Sequence, residues 1–501
     1  MLSPHRLAAP LFPRSPKNPR AEPVRHVSLL AVAALALGLL VARLPLEYSL
    51  ALLVGAALAG VAAWEPALGM GLAIILGPAK ALLAVAHPGW PSDLGQIFFA
   101  LAVAGWLAHG LARRRRLIPR IGLLIPLGLY IFAGLLSLLP AASLEEGLKE
   151  SLKWAEIALG MVILVSEAGR GRARWIIAAV LLAGLAQAAI GLWQFQFRGT
   201  GPEHFRILGD HYRAYGTFEQ PNPYGGFLGL VWPIAAGLGY GMLSQRRRSE
   251  SGWSIGNLDF GFWILDFGIF LIAALCLAAL YVSFSRGAWL GAAAAALAMA
   301  IFLPRRLRAG IVLVGAALAL GWGLARAGLL PASLTARLAD AADFTTVADV
   351  RGVNINDANF AIVERLAHWQ AAAEMARAAP WLGVGLGNYA AAYSAFRLLN
   401  WPNALGHAHM IYLNVLAETG VVGLITYVIL WGYIIGLTMR VTSRADGASR
   451  GLALGLLGTW AHLSAHHIVD NLYVNNIHLL LAALFALLVH ISHQSKDRVF
   501  E

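Results

Sequence analysis

Apolar runs of roughly 16 residues or more recur along almost the whole chain, and they restrict it to very few folds. Inside hydrocarbon every backbone N–H and C=O needs a partner, so runs of this length are read as helices. Composition agrees: 59% of residues are hydrophobic and 13% are charged, where a soluble domain carries about 25% charged. The expected fold is an all-α polytopic membrane protein with about 14 spans (12–14), each near 20 residues. They fall at 27–45, 49–64, 67–86, 94–112, 121–139, 149–166, 174–195, 223–243, 261–284, 287–303, 310–329, 410–437, 451–469 and 477–493.

Charge tests this division. Residues 1–26 are rich in Pro and Arg and read as a disordered basic cytoplasmic tail. The run behind it is too long for a typical secretory signal core and is taken as a retained helix. With the N-terminus inside, alternate loops are basic: Arg113 to Arg116, Arg170 to Arg174, Arg246 to Arg248, Arg305 to Arg308, Arg440 to Arg450, and the tail 494–501 with Lys496 and Arg498. That pattern places both termini on the cytoplasmic side. The net charge of +12 is thereby explained without a nucleic-acid partner. The lone Cys276 lies in an apolar run, so no intrachain disulfide is expected.

The same alternation puts 196–222, the tip Ser283 to Gly287, the segment 330–409 and the turn Val469 to Asn476 on the outer face. Spans 27–329 thus precede a large extracytoplasmic loop domain, 330–409, and spans 410–493 follow it. A loop of that length exceeds an ordinary connector and carries Arg351, Arg365, Arg377 and Arg397. Within it, Ala358 to Ala379 has helical periodicity ended by Pro380. A Gly-rich turn at 383–387, a candidate hinge, and a short helix from Tyr389 to Leu399 follow.

Arginines on the outer face break the positive-inside tendency and need another reason to exist. Arg286 stands in Ser285-Arg286-Gly287-Ala288, where a snorkelling interfacial arginine is the structural alternative. Arg365 lies on the loop helix beside Glu364, where a solvated helix face is the alternative. Arg198, Arg206 and Arg213 lead into Gly216-Thr217-Phe218-Glu219-Gln220-Pro221-Asn222-Pro223. There Asn222 suits an N-cap with Pro223 at the first helical position, and a cationic loop beside a helix start can also hold an anion. His407 and His409 precede Tyr412. Two histidines at i and i+2 do not share a helical face, so a helical metal pair is not expected. One of them facing a cavity suits a general base. Asp343 with Asp349, or Glu145 with Glu146, lack a diagnostic metal spacing. His466, His467, Asp470, Asn471 and His478 either line the same cavity or form a polar patch at the membrane edge.

Three of these pieces, in this order, resemble the O-antigen ligase and O-antigen polymerase superfamily of bacterial membrane glycosyltransferases. They are the Gly-Thr-Phe…Pro-Asn segment at 216–222, Ser285-Arg286-Gly287-Ala288, and the stretch from Arg365 through Trp369 and Pro380-Trp381-Leu382-Gly383-Val384-Gly385 to His407-Ala408-His409 and Tyr412-Leu413…Glu418-Thr419-Gly420. The resemblance covers about residues 200–425. It implies a GT-C-like fold and metal-independent, inverting transfer, with no cofactor, of a glycan from undecaprenyl pyrophosphate. The acceptor would be a glycan, lipid or protein hydroxyl. By position His409, or else His407, would be the base, with Arg286 and Arg365 holding the pyrophosphate. Arg213 and Arg206 are further donor-binding candidates, and Asn222, Tyr412 and Asp470 candidate cavity residues. A polymerase of the same fold is the near alternative. A lipid-linked oligosaccharide transporter is the distant one. It needs charge deep in spans, for which Lys80 and Asp266 are the candidates, and near-repeat halves, which the sequence lacks.

Overall fold

The computed structural model describes residues 45–89, 93–114, 117–207, 209–249, 260–329, 349–356 and 359–497. The predicted tail 1–26, the predicted span 27–45 except its last residue, residues 330–348 of the long loop, and the end of the C-terminal tail lie outside them. The chain divides into two compact units at Val61/Ala62. Helix α1 (Leu46–Trp64) begins in the first unit, and the second unit, Ala62–Glu501, holds the remaining helices.

Helices dominate. They are α2 (Pro66–Leu76), α3 (Lys80–Ala86), α4 (Leu94–Ala112), α5 (Leu124–Leu136), α6 (Leu144–Glu167), α7 (Ala173–Gln196), α8 (Pro221–Ser249), α9 (Phe260–Tyr281), α10 (Arg286–Phe302) and α11 (Leu307–Arg326). After the long loop's α12 (Phe360–Ala378) and α13 (Tyr389–Phe396) come α14 (Ile411–Arg444), α15 (Gly447–His466) and α16 (Ile477–Asp497). Each predicted span from 49–64 onward thus coincides with helix. Among the described residues, 7 helical stretches are long and apolar enough to cross a membrane. One of these, Leu144–Gln196, contains two predicted spans, which part at the non-helical Arg170 and Gly171. The one small sheet pairs β1 (Arg206–Ile207) with β2 (His211–Tyr212), antiparallel.

The core sits around α16, whose residues Leu479 to Leu488 are all at most 1% exposed. A helix apolar on every side is one surrounded by protein or lipid, and here protein surrounds it. Helices α8 and α15 meet through glycines: a Cβ on Gly237 would stand 2.4 Å from Gly451 O and 2.6 Å from Gly455 N. Small residues let the two backbones touch, as membrane helix pairs commonly do. Thr459 Oγ1 then donates across the seam to Leu230 O at 2.9 Å.

The basic loops are tied down by ion pairs. Arg172 meets Glu65 at 2.6 Å and Glu167 at 3.0 Å, and Arg246 meets the buried Asp266 at 3.1 Å. Arg305 pairs with Asp446. Lys80 meets Asp93 at 2.7 Å. Both charges that a transporter reading singled out, Lys80 and Asp266, therefore have structural partners.

Two expectations need correcting. Asn222 is not an N-cap: α8 already begins at Pro221 because Glu219 adopts a left-handed φ of 56° and turns the chain earlier. The Gly-rich turn 383–387 is a fixed bracket rather than a hinge, because the N–H of each of its residues is hydrogen-bonded.

Candidate functional site

Every residue from Val384 to Tyr389 donates its backbone N–H. The acceptors are Ala417 O (2.9 Å), Glu418 O (2.8 Å), Ser137 Oγ (2.9 Å), Glu418 Oε2 (3.0 Å), Gly385 O (3.0 Å) and Glu418 Oε1 (3.1 Å). A turn with all its donors engaged is a fixed bracket. Glu418, buried in the first turns of α14, is its anchor. Gly420 makes the docking possible: its φ of 63° and ψ of −166° open α14, and Val421 N then reaches Pro380 O at 2.8 Å. The end of the loop helix is thus clamped to the start of a membrane helix.

That clamp positions the histidine bend. Ala408 N donates to Asn414 Oδ1 at 3.0 Å, and Ile411 N to His467 O at 3.0 Å. Between them His409 is held at a left-handed φ of 53°, a strained state for a residue with a Cβ. Its N–H donates to His407 Nδ1 at 3.1 Å, and the two rings lie 4.4 Å apart, edge to face. His409 Nδ1 is 3.6 Å from Asp470 Oδ1, an electrostatic contact rather than a hydrogen bond. His368 stands behind, 5.7 Å from His409 between ring centres, with its Nδ1 2.8 Å from Tyr389 Oη.

Electrostatics sort these groups. Burial pushes the Asp470 carboxyl up, but the imidazoles of His409, His407 and His466 outweigh it and hold Asp470 well below the usual range. Burial, aided by the charge of His409 and of Arg365, brings His407 down to about 4. Burial and His409 bring His368 to about 4 as well. Both are therefore neutral at pH 7, next to a carboxylate that is ionised.

His407, His409 and Asp470 all line one cavity of about 1000 Å³, together with Asn222, Glu219, Glu418 and the polar face of α6. Their ligating atoms lie within 4.8 Å of one another. Among the described residues they are the group able to hold a metal ion, two imidazoles and a carboxylate being suitable donors.

The other expected site residues distribute as follows. Arg365 is half-buried on α12, and its charge acts on both His407 and His466. Arg286 is the exposed first residue of α10, capped by Ser285. Its neighbour Gly287 packs so closely that a Cβ would be 2.6 Å from the His466 ring. Arg213 joins this corner to the cavity rim: its Nε donates to Ser283 O at 2.9 Å and its Nη2 to Asn222 Oδ1 at 3.4 Å. Arg206 is exposed and closes its own hairpin, on Gly209 O at 2.7 Å and Asp210 at 3.1 Å. Tyr412 gives its hydroxyl to Ser464 O at 2.9 Å, binding α14 to α15. Asn414 and His368 were not singled out by the sequence, and Glu418 entered only as part of the Tyr412-Leu413…Glu418-Thr419-Gly420 motif, without a role. His368 had a further signal, since it follows Arg365 by three residues on one helix face.

Residues 271–428 match the protein-family model described as O-antigen ligase. No curated protein matches the chain.

Proposed function

We propose, from the match of residues 271–428 to the O-antigen ligase family model, that this membrane protein transfers a glycan from undecaprenyl pyrophosphate to an acceptor hydroxyl. The observation that carries the reading is the His409–Asp470 contact at 3.6 Å on the wall of a cavity of about 1000 Å³. The acceptor oxygen attacks the anomeric carbon as the bond to the pyrophosphate oxygen breaks. The hydroxyl proton passes to His409, and Asp470 stabilises the imidazolium that forms. Attack from the side opposite the leaving group inverts the anomeric centre.

Arg286 and Arg365 are assigned to the carrier pyrophosphate, since guanidinium forks suit its oxygens and charge grows there in the transition state. Arg213 holds the Asn222 and Ser283 segments beside them, and Arg206 serves the hairpin. We read the reaction as metal-independent and the helices beyond the 7 long apolar stretches as spans of a GT-C-like bundle. The cavity then faces the outer side of the inner membrane, with both termini cytoplasmic. A polymerase differs only in its acceptor, a second carrier-linked glycan.

The test uses the full chain in lipid nanodiscs with undecaprenyl-pyrophosphate-linked glycan and EDTA. Wild type releases undecaprenyl pyrophosphate with a glycosylated acceptor, while Arg286→Ala, Arg365→Ala and His409→Ala, all folded, lose it. Equal inactivity of wild type and variants across donors, with carrier lipid still bound, would sink the transferase reading.

A further inference from the structure

The wall of the cavity contributed by α4, α6 and the start of α16 carries a second polar cluster. Glu156 Oε2 accepts from Gln96 Nε2 at 2.8 Å and contacts His478 Nε2 at 2.6 Å. Gln96 Nε2 also lies 3.4 Å from Asn476 Oδ1. Asn476 Nδ2 donates to Asp93 Oδ1 at 2.7 Å and to Gly77 O at 3.2 Å. All but Gly77 line the cavity. Close approach seats the amide: a Cβ on Gly95 would be 2.7 Å from Gly77 Cα and 2.9 Å from Asn476 Nδ2.

Burying a polar cluster is costly wherever one of its groups is left unpaired. His478 is 3% exposed, and its Nδ1 has no hydrogen-bond partner among the described residues. The transfer chemistry at His409 needs none of these groups. The cluster is not an anion site. Glu156 and Asp93 contribute two carboxylates against one ammonium, Lys80, which Asp93 already pairs. A phosphate would be repelled there. Amides and carboxylates, each with paired donor or acceptor atoms, instead match vicinal hydroxyls. Tyr130 and Trp154 line the cavity nearby and supply apolar faces. The segment from Asp470 to His478 bears the base's partner at one end and this cluster at the other, so both belong to one chamber.

We propose that Gln96, Glu156, Asn476 and His478 form a saccharide subsite that holds a neutral sugar ring beside the transfer centre. Its place in the reaction rests on the transferase reading; the binding itself does not. The sugar belongs either to the donor glycan or to the acceptor, and the kinetic arm below separates the two.

The test is saturation-transfer-difference NMR on the full chain in nanodiscs, with methyl glycosides of glucose, galactose, rhamnose and N-acetylglucosamine and with inorganic pyrophosphate. At least one glycoside binds wild type, and its Kd rises at least tenfold in Gln96→Ala and in the isosteric Glu156→Gln, while pyrophosphate binding is unchanged. His409→Ala retains the glycoside. In the transfer assay the same two variants raise KM for one substrate at least fivefold with kcat within threefold, and which substrate is affected identifies the sugar. No glycoside binding to wild type, or equal Kd in wild type and in variants of unchanged melting temperature, overturns the subsite. Glycoside binding lost in the variants of a wild type that transfers nothing overturns the transferase reading and leaves the subsite standing.

Discussion

Asp470→Asn isolates the electrostatic part of the mechanism. Asn is isosteric and keeps an Oδ1 for the Asn471 N–H, which Asp470 accepts at 2.8 Å, so the turn retains its geometry. What disappears is one negative charge 3.6 Å from His409 Nδ1. At an effective dielectric constant of about 20 that charge stabilises an imidazolium by about 4.6 kcal/mol. His409's side chain is 20% exposed, against 8% for Asp470, and water at its edge screens part of this. A range of about 2–5 kcal/mol corresponds to roughly 30- to 5,000-fold in rate.

The assay is single-turnover release of undecaprenyl pyrophosphate from carrier-linked glycan, with melting temperature as the control for folding. Asp470→Asn loses kcat within that range while KM for the donor changes little, because the imidazolium exists only after proton transfer. His409→Ala removes the same step, so adding Asp470→Asn to it costs almost nothing further. A folded Asp470→Asn protein within threefold of wild type, or full additivity in the double variant, refutes the role assigned to the pair.

Gly420→Ala is expected to lower the melting temperature and abolish transfer. The backbone conformation alone costs about 1–3 kcal/mol for a residue with a Cβ, and that Cβ would stand 2.3 Å from the Trp381 carbonyl; faster proteolysis of the long loop reports the undocking. Stability falls as pH drops from about 6.5 towards 4. His407 and His368 are held near 4 in the fold, so the unfolded chain binds protons that the folded one refuses; melting curves at pH 7 and 5 check this, and coincident curves refute it. Micromolar Zn²⁺ inhibits by bridging His407, His409 and Asp470, EDTA reverses it, and His407→Ala binds the ion more weakly in equilibrium dialysis.

Much of the helical framework was legible because its causes are local. Span length follows from the thickness of hydrocarbon, and the basic loops between spans mark their ends. Pro380 stops α12 wherever the chain goes next. The candidate site was legible only where an imidazole or a charge stood out against an apolar background, as at His407, His409 and Asp470, which line one cavity; Arg286 and Arg365 are not among its lining residues. Residues whose meaning depends on a distant partner were misread or passed over. Glu418 looks like an isolated carboxylate until the Gly-rich turn is laid on it, 31 positions away from Gly387 in sequence. That turn, rich in glycine, suggests mobility; its glycines are needed for close approach, and its N–H groups are all engaged. Tyr412 falls in a motif with the histidines, yet its hydroxyl serves the seam between α14 and α15.

The same blindness hid the N-terminal helices' contribution. Gln96 is a single polar residue at the start of an apolar run, and Glu156 is the last of the run of charged residues that opens α6, so neither stands out in sequence alone. Only the return of the chain at Asn476 and His478, more than 300 residues beyond Glu156, gives them partners. A reading guided by motifs therefore locates the transfer centre in the loop and the helix after it, and stops there. The cavity does not: its far wall is built from helices that carry no motif. On the proposed transferase reading, recognition of the sugar, which differs from one glycan to another, would reside in that wall, whereas the pyrophosphate and the proton transfer would be common to all donors.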